Sequence, residues 1–314
     1  QRMKNNRRNF IKTAAVGGIG LAMAPNIAFG KKQKESKVRI GFIGLGLRGV
    51  LHLKNCISRQ DVEITALCDI NPLRLDLAQQ IITDAGLSKA KLFGDGDYDY
   101  QNLIQEKDVD AVIISTPWLW HTPMTVDSMK AGKYAGVEVS AATSLEECWD
   151  LVNTHESTGT HMMILENVNY RRDVMAVLNM VRQNVFGELI HFRCGYQHDL
   201  REVKFNNGLQ PYGGGVLFGP KAMSEAQWRT LHSLKRNADL YPTHGIGPIA
   251  AYADINRGNR FVSLTSHATK ARGLHDYIVQ EGCTNWVRLD CKFNRSWFKK
   301  TWSLCYYFWT RQNE

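Results

Sequence analysis

The chain has 314 residues, 39 basic against 30 acidic side chains, and a formal net charge of +9. Hydrophobic residues at 44% and charged residues at 22% exclude a disordered or fibrous chain, and the length allows two domains with a sizeable core. The charge invites a nucleic-acid reading that its distribution excludes: residues 1–37 hold nine basic and one acidic side chain, residues 283–314 six and two, and the 245 residues between them 24 and 27, a balance of −3.

Residues 1–30 read as an export leader. Arg7-Arg8-Asn9-Phe10-Ile11-Lys12 resembles a twin-arginine signal, and the apolar stretch after it is broken by Gly17, Gly18, Gly20, Pro25 and Asn26. Ala22-Met23-Ala24 or Ala28-Phe29-Gly30 supplies a small-residue cleavage site. This resemblance implies passage through the twin-arginine export machinery as a folded protein with its cofactor bound. No cysteine follows either site to take a lipid, so a periplasmic location without a stable membrane anchor is expected. No apolar run reaches the roughly 18–20 residues needed to cross a bilayer. The seven cysteines are scattered without a CxxC pair, so no metal site or disulfide framework is indicated.

From residue 37 strands and helices alternate. Residues 37–43 form a β-rich run that enters Gly44-Leu45-Gly46-Leu47-Arg48-Gly49, a complete G-x-G-x-x-G, and residues 50–59 read as a helix. The first glycine allows the tight turn, the second lets a pyrophosphate approach the backbone, and the third permits close helix–strand packing. A second strand, 62–68, ends at Asp69, an acid that accepts hydrogen bonds from a ribose 2′-hydroxyl and repels a 2′-phosphate. NAD is therefore favoured over NADP.

The pattern continues through a short strand at 91–93, a helix at 98–105 and an unbroken apolar strand at 111–115, as a sheet buried on both faces requires. Thr116-Pro117 opens a ligand-facing loop expected to carry Trp118, Trp120 and His121, with the next helix at 124–131 stopped by Gly132. A strand at 134–139, a helix capped by Ser144 and stopped by Gly159, and a strand at 161–165 complete the series. The fold class is α/β, a doubly wound parallel sheet over 37–165.

Three segments carry a more specific likeness. Ser115-Thr116-Pro117-Trp118-Leu119-Trp120-His121 and Gly136-Val137-Glu138-Val139-Ser140 resemble the glucose–fructose oxidoreductase / inositol dehydrogenase family. Tyr241-Pro242-Thr243-His244-Gly245-Ile246-Gly247-Pro248, with Gly195-Tyr196-Gln197-His198-Asp199-Leu200-Arg201, resembles its glycoside hydrolase branch, family 109, which contains NAD-dependent α-N-acetylgalactosaminidases. The resemblance implies an α+β substrate domain over 166–282 with an open, mainly antiparallel sheet. Dehydrogenase relatives place Glu-Lys-Pro at the end of the fifth strand; here Glu138 is followed by Val139 and Ser140, so the lysine that assists alcohol oxidation is missing.

The branch implies a cycle in which NAD takes a hydride from C3 of the sugar, the C1 substituent is eliminated after proton loss at C2, water adds, and the hydride returns. It further implies that Gly44, Gly46, Leu47, Arg48, Gly49, Asp69, Trp118, His121, Glu138, Val139 and Asn167 line the cofactor. Tyr196, Arg229, Tyr241, Pro242, Thr243 and His244 are the substrate-side candidates. His244 is the group expected to move the C3 hydroxyl proton, since imidazole exchanges protons near neutral pH; Tyr196 or Tyr241 is expected to act at C2.

Several residues keep a structural alternative: Trp118 and Trp120 as core aromatics, Arg229 or the Asp199–Arg201 pair as ordinary ion pairs. Pro242, Gly245, Gly247 and Pro248 are expected to shape a constrained turn, and Gly213-Gly214-Gly215 a loop rather than a phosphate cradle. Rival readings are a periplasmic sugar oxidoreductase and a shortened, non-catalytic NAD- or sugar-binding protein. The second draws on residues 283–314, which hold four of the eight tryptophans and three of the seven cysteines and are expected to be an atypical tail after a truncation or frameshift near Gly282. A glycan or glycoside is the expected partner, nucleic acid is not, and a homo-oligomer is left open.

Overall fold

The structure, a computed structural model, describes residues 37–198, 200, 228–229, 232 and 240–267. The expected leader, Asp199, Arg201, Gly213 to Gly215 and the expected tail lie outside the described residues.

The elements run β1 Val38–Ile43, α1 Leu47–Ile57, β2 Val62–Cys68, α2 Pro72–Asp84, β3 Lys91–Phe93, α3 Tyr100–Gln105 and β4 Ala111–Ile114. They continue with α4 Trp118–Lys130, β5 Tyr134–Val137, α5 Leu145–Thr158, β6 Met162–Ile164, a 3₁₀ turn Asn167–Tyr170, α6 Arg172–Arg182 and α7 Pro242–Tyr252. The six strands are parallel in the order β3-β2-β1-β4-β5-β6. The order reverses between β1 and β4, and ligands of such sheets bind at the carboxyl ends of the two strands that flank the reversal.

Strand alternation explains the two cores. Phe42 packs with Leu45, Leu53, Leu67 and Ile82 on one face, and its neighbour Ile43 packs with Ala66, Leu103, Val112, Ile114 and Val137 on the other. Burying these side chains contributes roughly 1.5–3 kcal/mol each. The register slips between Ile40 and Gly41, which pair with Ile64 and Ala66. Thr65 is thus the extra residue of a bulge, and Ile64 and Leu67 share a face although three apart.

Within the sheet domain two helices depart from the expected pattern. The helix α2 was not anticipated, although Asn71 caps it by accepting from Leu73 N at 3.0 Å and Pro72 occupies its first position. The helix expected from residue 124 begins at Trp118, which moves Trp118, Trp120 and His121 out of the expected loop and into its first turns. Pro123 reads as a breaker, and the buried face is polar: His121, Thr122, Thr125 and Ser128 are buried beside Met124 and Met129. Thr125 and Ser128 satisfy their hydroxyls on the carbonyls of His121 and Met124, at 2.6 Å each, so the apolar period that announces a helix is absent.

The helix α5 follows the sequence closely. Ser144 Oγ accepts from Glu147 N at 3.2 Å, and Gly159 ends the helix at φ +69°. Beyond Leu165 the described elements are helical apart from an isolated bridge between Ile255 and Asn259, so the antiparallel sheet expected for 166–282 is not represented among the described residues. The helix α7 is tied to α6 by the Tyr252 hydroxyl, which donates to Val174 O at 3.1 Å.

Candidate active site

Gly44 leaves β1 with φ +89°, and a Cβ there would sit 2.8–2.9 Å from the backbone of Ser115 and Thr116. A Cβ on Gly49 would run into Gly44 O. Both positions therefore need glycine for the turn to lie against the end of β4. Gly46 is the N-cap of α1 and makes no side-chain cap, and Leu47 and Arg48 begin the helix, so its first N–H groups are directed at whatever occupies the turn. Asp69 follows β2, its carboxylate accepting from Leu45 N at 2.6 Å and from Asn71 N at 2.8 Å. Ser115 Oγ, buried beneath the turn, has no hydrogen-bond partner among the described residues. A cradle that a Cβ would fill, a helix start without a side-chain cap and an acid at the second strand end fit a dinucleotide.

Glu138 follows β5 and is 5% exposed. Its Oε1 receives Arg48 Nε at 2.8 Å and His52 Nε2 at 2.6 Å, and Oε2 accepts from Val139 N at 3.2 Å. Burial alone would raise its pKa, yet the His52 hydrogen bond and the Arg48 charge hold it below the usual carboxylate range. The other side of the guanidinium continues the network: Arg48 Nη2 donates to Asn167 Oδ1 at 3.0 Å. Arg48 thus joins α1, the end of β5 and the 3₁₀ turn.

Glu166, the residue before Asn167, was not among the sequence candidates. It is 6% exposed, caps the 3₁₀ turn by accepting from Val168 N at 2.9 Å, and meets His244 Nδ1 through Oε1 at 2.7 Å and Oε2 at 2.9 Å. Burial pushes this carboxyl upward, but the His244 hydrogen bond, the Val168 N–H and the Thr243 side chain together bring it below its usual range. An ionised carboxylate cannot donate, so Nδ1 carries a hydrogen, and Nε2 is the nitrogen left to exchange a proton. This is the arrangement of an oriented general base.

Close packing makes the pair. The 241–248 segment, expected as a constrained turn, is the start of α7, with Pro242 at its first position. A Cβ on Gly247 would lie 2.8 Å from Asn169 Oδ1 and 3.3 Å from Glu166 Cγ, and one on Gly245 would lie 3.3 Å from Cys194 Sγ. The glycines serve close approach, which brings His244 onto Glu166 across 78 residues of chain.

Around His244 the structure gathers the two tyrosines singled out from sequence. Ring centroids are 4.7 Å apart for Tyr196–His244, 5.6 Å for Tyr196–Tyr241 and 5.8 Å, stacked, for Tyr241–His244. The Tyr196 hydroxyl also meets His198 Nδ1 at 2.6 Å. Trp118 is 2% exposed, donates Nε1–H to Val139 O at 3.1 Å, and packs on Trp228, His232 and Tyr241. It therefore links the cofactor half to the tyrosines. Arg229 lies over the Trp228 ring at 5.1 Å, one ring removed from Trp118.

Two expectations change. Trp120 packs against Tyr98 and Tyr100 rather than at the carboxyl ends of the strands, so it is a core aromatic. His121 is 1% exposed, and its nitrogens face Ser140 O at 2.6 Å and Thr116 O at 2.7 Å. Burial lowers its pKa although both carbonyls favour N–H donors, and the ring lies between the ends of β4 and β5 with a carbonyl oxygen against each nitrogen rather than facing a ligand.

Comparisons with known proteins bear on both halves. Residues 38–165 match the family described as oxidoreductase family, NAD-binding Rossmann fold, and residues 170–304 match glycosyl hydrolase 109, C-terminal domain. The second match runs past Gly282, so the family pattern reaches further along the chain than the sequence reading carried it. A glycosyl hydrolase family 109 protein of Parabacteroides distasonis is 50% identical over 311 residues, and an alpha-N-acetylgalactosaminidase of Tannerella forsythia 49% identical over 313. Each alignment covers 93% of this chain and 67% of the relative, so the chain spans about two thirds of their length. Among solved structures, apo scyllo-inositol dehydrogenase from Lactobacillus casei is 21% identical with a TM-score of 0.44, over 49% of this chain and 44% of that one.

Proposed function

The chain belongs to the glycosyl hydrolase 109 family, and from that premise we propose that it releases terminal α-N-acetylgalactosamine from a glycan or glycoside with NAD as a cofactor that is regenerated in each cycle. The single observation that carries this reading is the buried Glu166–His244 pair, set beside Tyr196 and Tyr241 and joined through Asn167 and Arg48 to the glycine turn. Ordinary glycosidases place two carboxylates about the scissile bond; this site presents a carboxylate–histidine pair and two tyrosines beside a nucleotide cradle. Bound NAD supplies a hydride acceptor and donor, so oxidation at sugar C3 acidifies the C2 hydrogen and permits loss of the C1 substituent before water adds.

Within that cycle His244 Nε2 takes the proton of the C3 hydroxyl and returns it at the end. Ionised Glu166 keeps Nδ1–H oriented and stabilises the imidazolium while it lasts. Tyr196 or Tyr241 takes the C2 proton, which requires its hydroxyl to fall from a pKa of about 10. Arg229, stacked on Trp228, offers N–H donors to sugar oxygens. The Rossmann half holds the nucleotide through Gly44, Gly46, Gly49, Asp69 and the Arg48–Glu138 pair.

The test is hydrolysis of an aryl α-N-acetylgalactosaminide in D₂O. Deuterium at C2 of the released sugar is the expected result, and hydrolysis without it would overturn the elimination route. NADH formed from free sugar without hydrolysis would transfer the reading to a sugar oxidoreductase.

The proposal includes export. The Arg7-Arg8 leader supports a periplasmic enzyme carried through the twin-arginine pathway with NAD bound, and a regenerated cofactor suits a compartment without free nucleotide. Among the described residues no helix is long and apolar enough to cross a membrane. Replacing both arginines by lysine should leave the protein in the cytoplasmic fraction; unchanged periplasmic recovery would remove this part of the proposal.

A further inference from the structure

His52 was not among the sequence candidates. It lies one helical turn after Arg48 on α1, so both side chains leave the same face of the helix. Both reach the same atom, Glu138 Oε1, at 2.6 Å for His52 Nε2 and 2.8 Å for Arg48 Nε, while Oε2 is taken by the Val139 N–H at 3.2 Å. A guanidinium facing a carboxylate ordinarily closes on it with two parallel N–H bonds. Here Arg48 meets Glu138 through Nε at 2.8 Å, and its Nη2 donates to Asn167 Oδ1 at 3.0 Å. His52 thus holds the carboxylate oxygen on which Arg48 Nε rests.

We infer that His52 is a positioning residue: by donating to Glu138 Oε1 it fixes the carboxylate against which Arg48 rests, and so keeps Nη2 of the same guanidinium on Asn167, the neighbour of Glu166. The glycine-turn helix is thereby locked to the turn that carries the Glu166–His244 pair. With His52 removed, the Glu138 carboxylate can turn and Arg48 follows it, the Asn167 bond is lost, and the nucleotide cradle is no longer registered against the proton-transfer group. The inference rests on NAD occupying the glycine turn and does not require the glycan to be the one proposed above.

The experiment uses the full chain and its His52→Leu and His52→Gln variants. Binding of labelled NAD is measured by equilibrium dialysis, and kcat and KM with the aryl glycoside. His52→Leu should weaken NAD binding about tenfold, the order expected for one hydrogen bond to a charged group, and lower kcat with KM for the glycoside unchanged. His52→Gln, which can still donate to Oε1, should recover most of both losses.

Wild-type NAD affinity in His52→Leu, or equal impairment in the two variants, would overturn the inference. Should His52→Leu fail to fold, Arg48→Lys asks the same question, since an ammonium lacks the planar fork that spans Glu138 and Asn167. It should match the NAD loss, and undiminished NAD binding in it would equally overturn the role. Failure of the glycosidase reading shows instead as absent hydrolysis by the wild-type chain with the dialysis result unaffected.

Discussion

The molecule holds two buried glutamates at neighbouring strand ends, each hydrogen-bonded to a histidine. Glu138 and His52 meet at 2.6 Å inside the Rossmann domain, and Glu166 and His244 at 2.7 Å between the end of β6 and α7. They differ in what else they touch. Glu138 is also paired with Arg48, so its charge is balanced whether or not the histidine changes state. Among the described residues Glu166 has no arginine or lysine partner, only His244, a backbone N–H and the Thr243 side chain. A carboxylate neutralised by a guanidinium holds structure in place. One that faces a histidine alone orients its ring for proton transfer.

This comparison can be broken by experiment. The largest effect is expected at His244: His244→Ala should lower kcat about 10³-fold while NAD stays bound, because only the proton-transfer group is removed. Loss of NAD in that variant would mean that the pair belongs to the cofactor site as well. Glu166→Gln should follow with a loss of about 10²-fold, since an amide can present its N–H to Nδ1 and stabilise the wrong tautomer. Activity near wild type would demote Glu166 to a helix cap.

Gly49→Ala strikes the cradle instead. The added Cβ meets Gly44 O, so NAD binding should fall below detection in dialysis and melting should show a loss of about 1–3 kcal/mol. Unchanged NAD binding would leave the turn without its assigned role.

The smallest effect is on acid stability. Both carboxyls are held below their ordinary range in the folded chain, so their contribution is complete above that range and is lost as pH falls through the folded-state values. The melting temperature should therefore fall between about pH 5 and pH 3. A chain carrying Glu138→Gln and Glu166→Gln together should show a shallower fall in melts followed by circular dichroism; the same slope in both chains would mean that other carboxyls control acid unfolding.

Much of this architecture was legible beforehand, and its gaps have physical causes. The strands at 62–68 and 111–114 stand where the apolar runs placed them, because a strand largely buried on both faces needs little beyond its own residues. The start of α4 escapes the apolar period because its buried face is polar and satisfies itself on backbone carbonyls, whereas α2 carries both Asn71-Pro72 at its start and the helical spacing of Leu75, Ala78 and Ile82. His244 was visible as a proton-transfer candidate from its segment. Glu166 and His52 were not, since a glutamate after a short strand and a histidine within a helix are ordinary by local pattern.

Six strands in succession, the glycine turn, the acid that favours NAD and the histidine of the 241–248 segment are written in the sequence. These rest on local sterics and on periodicity, which act over a few residues. Which glutamate meets which histidine, and that Arg48 spans Glu138 and Asn167, is settled by the packing of distant segments. Those partners lie 78 to 119 residues apart in the chain. They meet because a parallel sheet brings its strand ends to one edge and because Gly247, lacking a side chain, lets α7 close upon Asn169 and Glu166.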